Sequence, residues 1–310
     1  MKKVLISVIV LSLIAGKVFS QSQEIKDFIF VEGNKSQVSF YICSHEVTEE
    51  EYIPIMSGTA SSSKFPARSV LWKDAVEYCN KRSINEGLST CYKSIGNGKY
   101  ECDFSANGYR LPTDAEWEFA ASGGNKSKGY IYSGSDTSGI VAWDSQNSGG
   151  SAHEVMTKKP NELGIYDMSG NVWEWVNEWE KGTPKLRGGS YFSDGGNDCK
   201  TAISAYTYAA AEFTFPPFGF RVVRSTMIAK DKTMSAVYNL KLRTDESIDS
   251  EVKTIMQAGT TVKILEFGKS ETIDDIRSNW VKVEVQSGKD KDGKIIKKGV
   301  TGWCYGGYLE

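Results

Sequence analysis

Histidine is nearly absent, with two in 310 residues, so no three-imidazole iron or zinc centre can be built within this chain. Proline is scarce at seven, and neither internal repeats nor low-complexity tracts occur. Excess positive charge is missing too: 37 basic residues face 39 acidic ones, which argues against a phosphate-binding surface and hence against nucleic acid as a partner. Forty per cent hydrophobic residues with 12% aromatics exclude a disordered or fibrous chain. Long apolar runs are confined to the N-terminus. There, Lys2 and Lys3 precede an apolar stretch from Val4 to Ala15, and Val18-Phe19-Ser20 ends on a small residue before Gln21. This order is that of a secretory signal peptide over residues 1–20. The alternative, an uncleaved anchor, is disfavoured because the run is shorter than the roughly 17–25 residues of a bilayer span. No cysteine stands at the cut to take a lipid.

Removing residues 1–20 takes three lysines away and leaves 34 basic against 39 acidic residues, a net charge of −5. The sequence therefore predicts an extracytoplasmic product, periplasmic, envelope-bound or secreted, with no transmembrane segment once the signal is gone. In that setting the six cysteines are expected to form disulfides. Cys91 and Cys102 flank the Gly96-Asn97-Gly98 turn and are the first candidate pair, and a structural disulfide is also expected for Cys199.

Texture changes near residue 229. Residues 21–228 are rich in Gly, Trp and Tyr and carry 20 basic and 26 acidic residues. A polar link, residues 229–236, leads to residues 237–310, where short alternating strands and glycines suggest a small β-barrel. In the first unit the pattern predicts helices over Glu49–Met56 and Leu71–Ser83, and a capping box at Thr113-Asp114-Ala115-Glu116 opens a third. Strands are expected at Phe28–Val31, Val38–Ile42, Ile165–Tyr166, Val172–Val176 and Gly219–Arg224. Few helices, short strands and long irregular stretches fit an α+β domain organised by its loops. Arg110 and Glu116–Glu118 read as a structural salt-bridge frame, Trp173 and Trp175 as core, and His45 and His153 as surface residues.

Longer motifs run in sequence: Glu46-Val47-Thr48, Trp72-Lys73-Asp74-Ala75, Gly108-Tyr109-Arg110-Leu111-Pro112-Thr113-Asp114-Ala115-Glu116-Trp117-Glu118, Gly164-Ile165-Tyr166-Asp167-Met168-Ser169-Gly170-Asn171-Val172-Trp173-Glu174-Trp175, Arg187-Gly188-Gly189-Ser190-Tyr191, and Gly219-Phe220-Arg221. From about Phe28 to Ser225 the chain resembles the formylglycine-generating enzyme (sulfatase-modifying factor) family, whose fold is C-type-lectin-like. The resemblance implies a structural calcium held by the side chains of Asp167 and Glu174 and the carbonyls of Gly170 and Val172. Catalytic members bind copper through two cysteines shortly after the Arg-Gly-Gly-Ser-Tyr segment. Here those positions hold Ser193 and Asp198, with Cys199 one residue further on, which argues against copper and against catalysis.

Residues 237–310 resemble a bacterial SH3 domain through Asn239-Leu240-Lys241-Leu242-Arg243-Thr244, Trp280-Val281-Lys282-Val283 and Gly302-Trp303-Cys304. That resemblance implies peptide or cell-wall ligands, with Trp303 and Tyr305 as candidate contacts. In the first unit, Tyr206, Tyr208 and Phe213 are candidate contacts on a loop that also looks like the variable face of retroelement-diversified lectin-fold proteins. The expected function is thus an exported, noncatalytic binding or envelope-associated protein. A copper-dependent formylglycine-generating oxidase with a rearranged site is the alternative.

Overall fold

The computed structural model describes residues 26–34, 37–195, 197–201, 206–209, 213–225, 232–274 and 276–309. The proposed signal peptide lies outside the described residues. Among the described residues no helix is long and apolar enough to cross a membrane.

Three helices form where the sequence places them. Helix α1 spans Glu49–Ser57, and Thr48 caps it while Glu51 reaches back to the Thr48 backbone. Helix α2, Trp72–Asn85, buries Trp72, Ala75, Val76 and Cys79 on one face, the 3.6-residue spacing of its apolar positions. Helix α3, Asp114–Ala121, opens on the Thr113–Glu116 capping box. Such a cap satisfies two otherwise orphaned N–H groups.

Two four-stranded sheets and a separate two-stranded hairpin complete the strands described in this unit. In the first, Phe28–Val31 pairs with Phe40–Cys43, which pairs with Val223–Ser225, which pairs in turn with Tyr109–Arg110. The start and the end of the unit are thereby stitched together. In the second, Trp173–Glu180 lies between Thr183–Arg187 and Phe218–Gly219. Ile165–Tyr166 is not a strand. Tyr166 N–H is taken by the Ser44 carbonyl, and Asp167 turns the chain with φ of 56°. Trp72, Trp175, Tyr78, Tyr109 and Phe220 fill the core between α2 and the sheets.

Buried charge is handled by pairing. Arg110 grips Glu116 at 2.6 Å with both partners buried, as the expected salt-bridge frame requires. Glu118, assigned to the same frame, instead meets Arg187 at 3.1 Å. Arg187 also forks onto Asp114 at 2.6 and 2.7 Å, and Lys185 joins at 2.6 Å. Burial alone would raise the Asp114 pKa, but the hydrogen bonds from Arg187 and Lys185 outweigh it and hold the carboxyl below its ordinary range. A depressed carboxyl contributes stability that is complete above its unfolded pKa, about 3.9, and lost as pH falls through the folded value. Asp114→Asn should therefore cost about 2–3 kcal/mol at pH 7 and flatten the acid limb of the melting curve. Melting temperatures from pH 7 down to pH 2.5 check this. An unchanged acid slope would refute it.

The six cysteines are thiols, which corrects the disulfide expectation. The hairpin Tyr92–Gly96/Lys99–Cys102 sets Cys102 opposite Tyr92, so Cys91 is one residue out of step with it. Cys91 and Cys102 both pack in the core cluster that holds Cys79, and all three are thiols. Cys199 lies against Gly189, away from every other cysteine that could bond it.

Residues 232–309 form a six-stranded antiparallel sheet ordered Thr233–Ser235, Thr261–Ile273, Ile276–Ser287, Thr301–Tyr305, Leu240–Arg243 and Val252–Met256. Its end strands are not joined by a ladder among the described residues, so the SH3-like sheet is present without the closure expected of a barrel. Thr233–Ser235, read from the sequence as linker, pairs with Thr261–Lys263.

Candidate functional site

The segment after Arg187 makes the most chemically suggestive concavity. Gly188 and Gly189 have φ of 94° and 74°, the left-handed region that glycine enters without penalty. At Gly189 a Cβ would stand 2.7 Å from Cys199 Sγ and 3.0 Å from the Asp198 carbonyl, so only glycine admits this close approach. The chain then turns through Ser190–Ser193, with Ser190 N–H donating to Ser193 Oγ at 3.1 Å. The resulting cavity of about 310 Å³ is walled by Trp173, Phe192, Phe215 and Pro217 on its apolar side. Ser190, Ser193, Asp194, Asn197 and Asp198 supply the polar side, and no Lys or Arg is among the described residues lining it.

Ser193 and Asp198, the two positions that the resemblance assigns to copper thiolates, thus do come together at the cavity wall. Cys199 does not join them. Its thiol is fully buried, outside the cavity wall, and its main-chain carbonyl accepts from Ser169 Oγ at 2.7 Å. Burial and the neighbouring Asp144, Asp198 and Asp194 push the Cys199 thiol up to about 12. A hydroxyl, a carboxylate and a protonated, buried thiol do not fit a copper ion that requires two thiolates.

The implied calcium set fares no better as a donor cage. Arg221 forks onto Glu174 at 2.6 and 2.7 Å, and Trp117 Nε1 donates to Glu174 Oε2 at 2.7 Å. Three donors on two oxygens, with a guanidinium at the mouth, do not fit a cation there. Asp167 Oδ2 accepts from Met156 N–H at 2.7 Å, and burial is the main cause of its carboxyl rising to about 6. Asn171 Nδ2 and Val172 N–H both donate to the fully buried Glu46, at 2.6 and 3.0 Å. A side chain rather than an ion already ties this loop to the strand end.

The candidate contact residues scatter. Tyr206 lies in the edge strand Tyr206–Tyr208, but its side chain is outside the described residues. Tyr208 donates its hydroxyl to Glu180, away from the cavity wall. Phe213 is 53% exposed and meets Phe218 edge-on at 6.2 Å, without lining the cavity. The aromatics that do line it are Phe192, 52% exposed, Phe215, and Trp173. Trp173, expected as core, is buried in the main core cluster with Trp175, and its edge also reaches the cavity wall.

A second, larger concavity of about 890 Å³ lies in the C-terminal sheet, walled by Tyr238, Trp280, Tyr305 and Tyr308 among others. Tyr305 is there, although its hydroxyl is committed to Ser278 N–H at 2.7 Å and the Glu271 carbonyl at 2.6 Å. Trp303 packs against the same aromatic cluster but is not part of the wall.

His45 is buried, contrary to the surface expectation, and its Nδ1 lies 2.8 Å from the Glu46 carbonyl. Burial alone would lower its pKa, but the Cys43 thiol, Glu51 and the Glu46 carbonyl raise it to about 9. His153 is half-buried and stacks on Trp143 with ring centroids 3.6 Å apart.

An α+β unit with this motif order, followed by an SH3-like sheet, defines a two-part protein of the sulfatase-modifying-factor class. The chain belongs to the family described as sulfatase-modifying factor enzyme 1-like domain, matched over residues 11–226, and residues 239–310 match the bacterial SH3 domain. It is similar to the chaperone protein LppX of Paenibacillus barcinonensis, 36% identical over 253 residues, covering 69% of this chain and 89% of that one. It is also similar to the inactive C-alpha-formylglycine-generating enzyme 2 of Bos taurus, 27% identical over 183 residues, covering 53% of this chain and 52% of that one. Among solved structures, Treponema denticola variable protein 1 superposes with a TM-score of 0.55 at 27% identity, over 64% of this chain and 91% of that one.

Proposed function

We propose that this is an exported, noncatalytic binding protein that holds a peptide or protein segment in the Ser190–Asp198 groove, with the SH3-like sheet contributing envelope or cell-wall attachment. One observation carries the reading: Ser193 and Asp198 line the cavity at the thiolate positions, while Cys199 is turned into the core. Exposed Phe192 and Phe215 beside Asp194 and Asp198 suit a segment that offers a basic side chain between apolar ones. Similarity to a chaperone protein and to an inactive formylglycine-generating enzyme supports a role in protein recognition without turnover. The N-terminal signal pattern supports an extracytoplasmic location.

The test presents copper-loaded protein, with reductant and oxygen, to a library of peptides containing cysteine and basic residues. Peptide mass and retention on the immobilised chain are both read. The expected outcome is unchanged mass, with retention that weakens about tenfold or more in Phe192→Ala and Phe215→Ala. Conversion of cysteine to formylglycine that disappears in Cys199→Ser would overturn the reading in favour of a rearranged oxidase.

A further inference from the structure

Away from the groove, the strand Phe40–Cys43 runs directly into the first turn of α1. Within nine residues it brings together three side chains of the kinds that bind transition metals. Cys43 Sγ lies 3.9 Å from His45 Nδ1, and His45 Nδ1 lies 3.9 Å from Glu51 Oε2. All three ligand atoms fall within 4.8 Å of one another. The main-chain carbonyl of Glu46 stands 2.8 Å from the same Nδ1. We propose that Cys43, His45, Glu51 and the Glu46 carbonyl form a zinc-binding site.

The local fold explains the convergence. Thr48 is the N-cap of α1, which places Glu51 at the third helical position and folds its carboxylate back over the residues before the helix. Residues 43 and 45 precede that cap, so a nine-residue stretch closes on itself. Thr48 N–H and Oγ1 both donate to Glu51 Oε2, at 2.9 and 3.0 Å, and fix the carboxylate's aim. Arg82 faces the other oxygen, Oε1, at 3.6 Å and donates instead to Glu86 and Tyr78, so unlike Glu174 the carboxylate is not clamped by a guanidinium, and on binding Oε2 takes the metal in place of the Thr48 hydroxyl.

Donor chemistry selects the ion. Zinc takes sulfur at about 2.3 Å, imidazole nitrogen at about 2.0 Å and carboxylate oxygen at about 2.1 Å in a tetrahedron. Those lengths give ligand–ligand edges of roughly 3.4–3.6 Å, so the two 3.9 Å spacings contract by a few tenths of an ångström, the Cys43–Glu51 spacing, within 4.8 Å, closes by up to about 1.2 Å, and the Glu46 carbonyl moves out from 2.8 Å. Calcium would not use the thiolate or the imidazole, and Cu(I) would gain little from two oxygens. Binding replaces the proton on Cys43 Sγ and the proton on His45 Nδ1, both released to solvent, and the Glu46 carbonyl exchanges its hydrogen bond for the metal. Cys43 is fully buried and His45 nearly so, whereas the Glu51 side chain is 22% exposed and marks the way in.

The experiment uses the full chain, reduced and stripped with a chelator, and titrates Co²⁺ as a spectroscopic probe before displacing it with Zn²⁺. The expected result is a thiolate-to-cobalt charge-transfer band with four-coordinate d–d bands, saturating at about one equivalent and erased by zinc. Cys43→Ser should abolish the charge-transfer band. Glu51→Gln keeps the capping box, since glutamine serves there as well, and should weaken zinc by more than about 100-fold. That exceeds the 10–100-fold typical of losing an outer partner of a ligand. Absence of the charge-transfer band in the wild type would overturn the proposal. So would zinc affinity that is the same in wild type, Cys43→Ser and Glu51→Gln.

Discussion

Arg221→Met should destabilise the first unit by about 3–5 kcal/mol, the cost of leaving a buried charge without its partner. Arg221 and Glu174 are both fully inaccessible, and the guanidinium makes two charge-assisted bonds to the carboxylate. Arg221 also donates to the Cys43 carbonyl at 3.3 Å and the Tyr166 carbonyl at 3.0 Å, so its removal strands four acceptor contacts at once. One side chain thereby ties the strand Trp173–Glu180 to the end of Phe40–Cys43 and to the loop before Asp167. For a unit of about 200 residues the melting temperature should fall by roughly 10 °C. The pair variant Arg221→Met with Glu174→Leu should recover part of the loss, because two apolar groups leave no charge stranded. A single Arg221→Met variant that melts within a degree or two of wild type would show that the ion pair holds nothing together.

Much of this was legible in the residues, and the gaps have physical causes. Thr113–Glu116 announces its helix because a capping box is a local, side-chain-to-backbone signal. Helix α2 is legible from its period, although its end drifts two residues past the expected Ser83 because Ile84 and Asn85 add no apolar face to mark the limit. The 13- and 12-residue strands Thr261–Ile273 and Ile276–Ser287 read as short pieces. Register shifts between Ile264 and Glu266 and between Phe267 and Ser270 interrupt the alternation that betrays a strand. Compartment and spacing suggest disulfides, and neither carries the register that sets Cys102 opposite Tyr92 rather than Cys91. At the groove, the loss of the copper pair is visible directly in Ser193 and Asp198. That the core Trp173 also reaches the cavity wall is not visible, because Phe192, Phe215 and Pro217 join it there only in the folded chain. The Cys43–His45–Glu51 convergence also escapes a reading by spacing, since it exists only once Thr48 caps α1.

Gly170→Ala should be the most damaging small substitution in the loop between Asp167 and Glu174. Gly170 has φ of 79°, where an L-residue costs about 1–2 kcal/mol. A Cβ there would stand 2.3 Å from the Trp143 carbonyl oxygen and 2.9 Å from Trp143 N, both backbone atoms with no rotamer to yield. Gly170 N–H donates to the Gly188 carbonyl at 2.8 Å, and Asn171 N–H to the Trp143 carbonyl at 2.8 Å. Relief of the clash must therefore break the hydrogen bonds that seat the loop between Trp143 and the glycine pair leading to the groove. Strain and overpacking together should cost about 2–5 kcal/mol. The effect should also reach the groove, because Gly188 opens the turn that carries Ser190, Phe192 and Ser193. Phe192 is 52% exposed and contributes little to the core, so Phe192→Ala should leave melting almost unchanged while weakening peptide retention. Gly170→Ala should lower both. If Gly170→Ala melted like wild type yet lost retention, the loop would be shaping the groove without holding the fold, and the packing argument against Trp143 would fail.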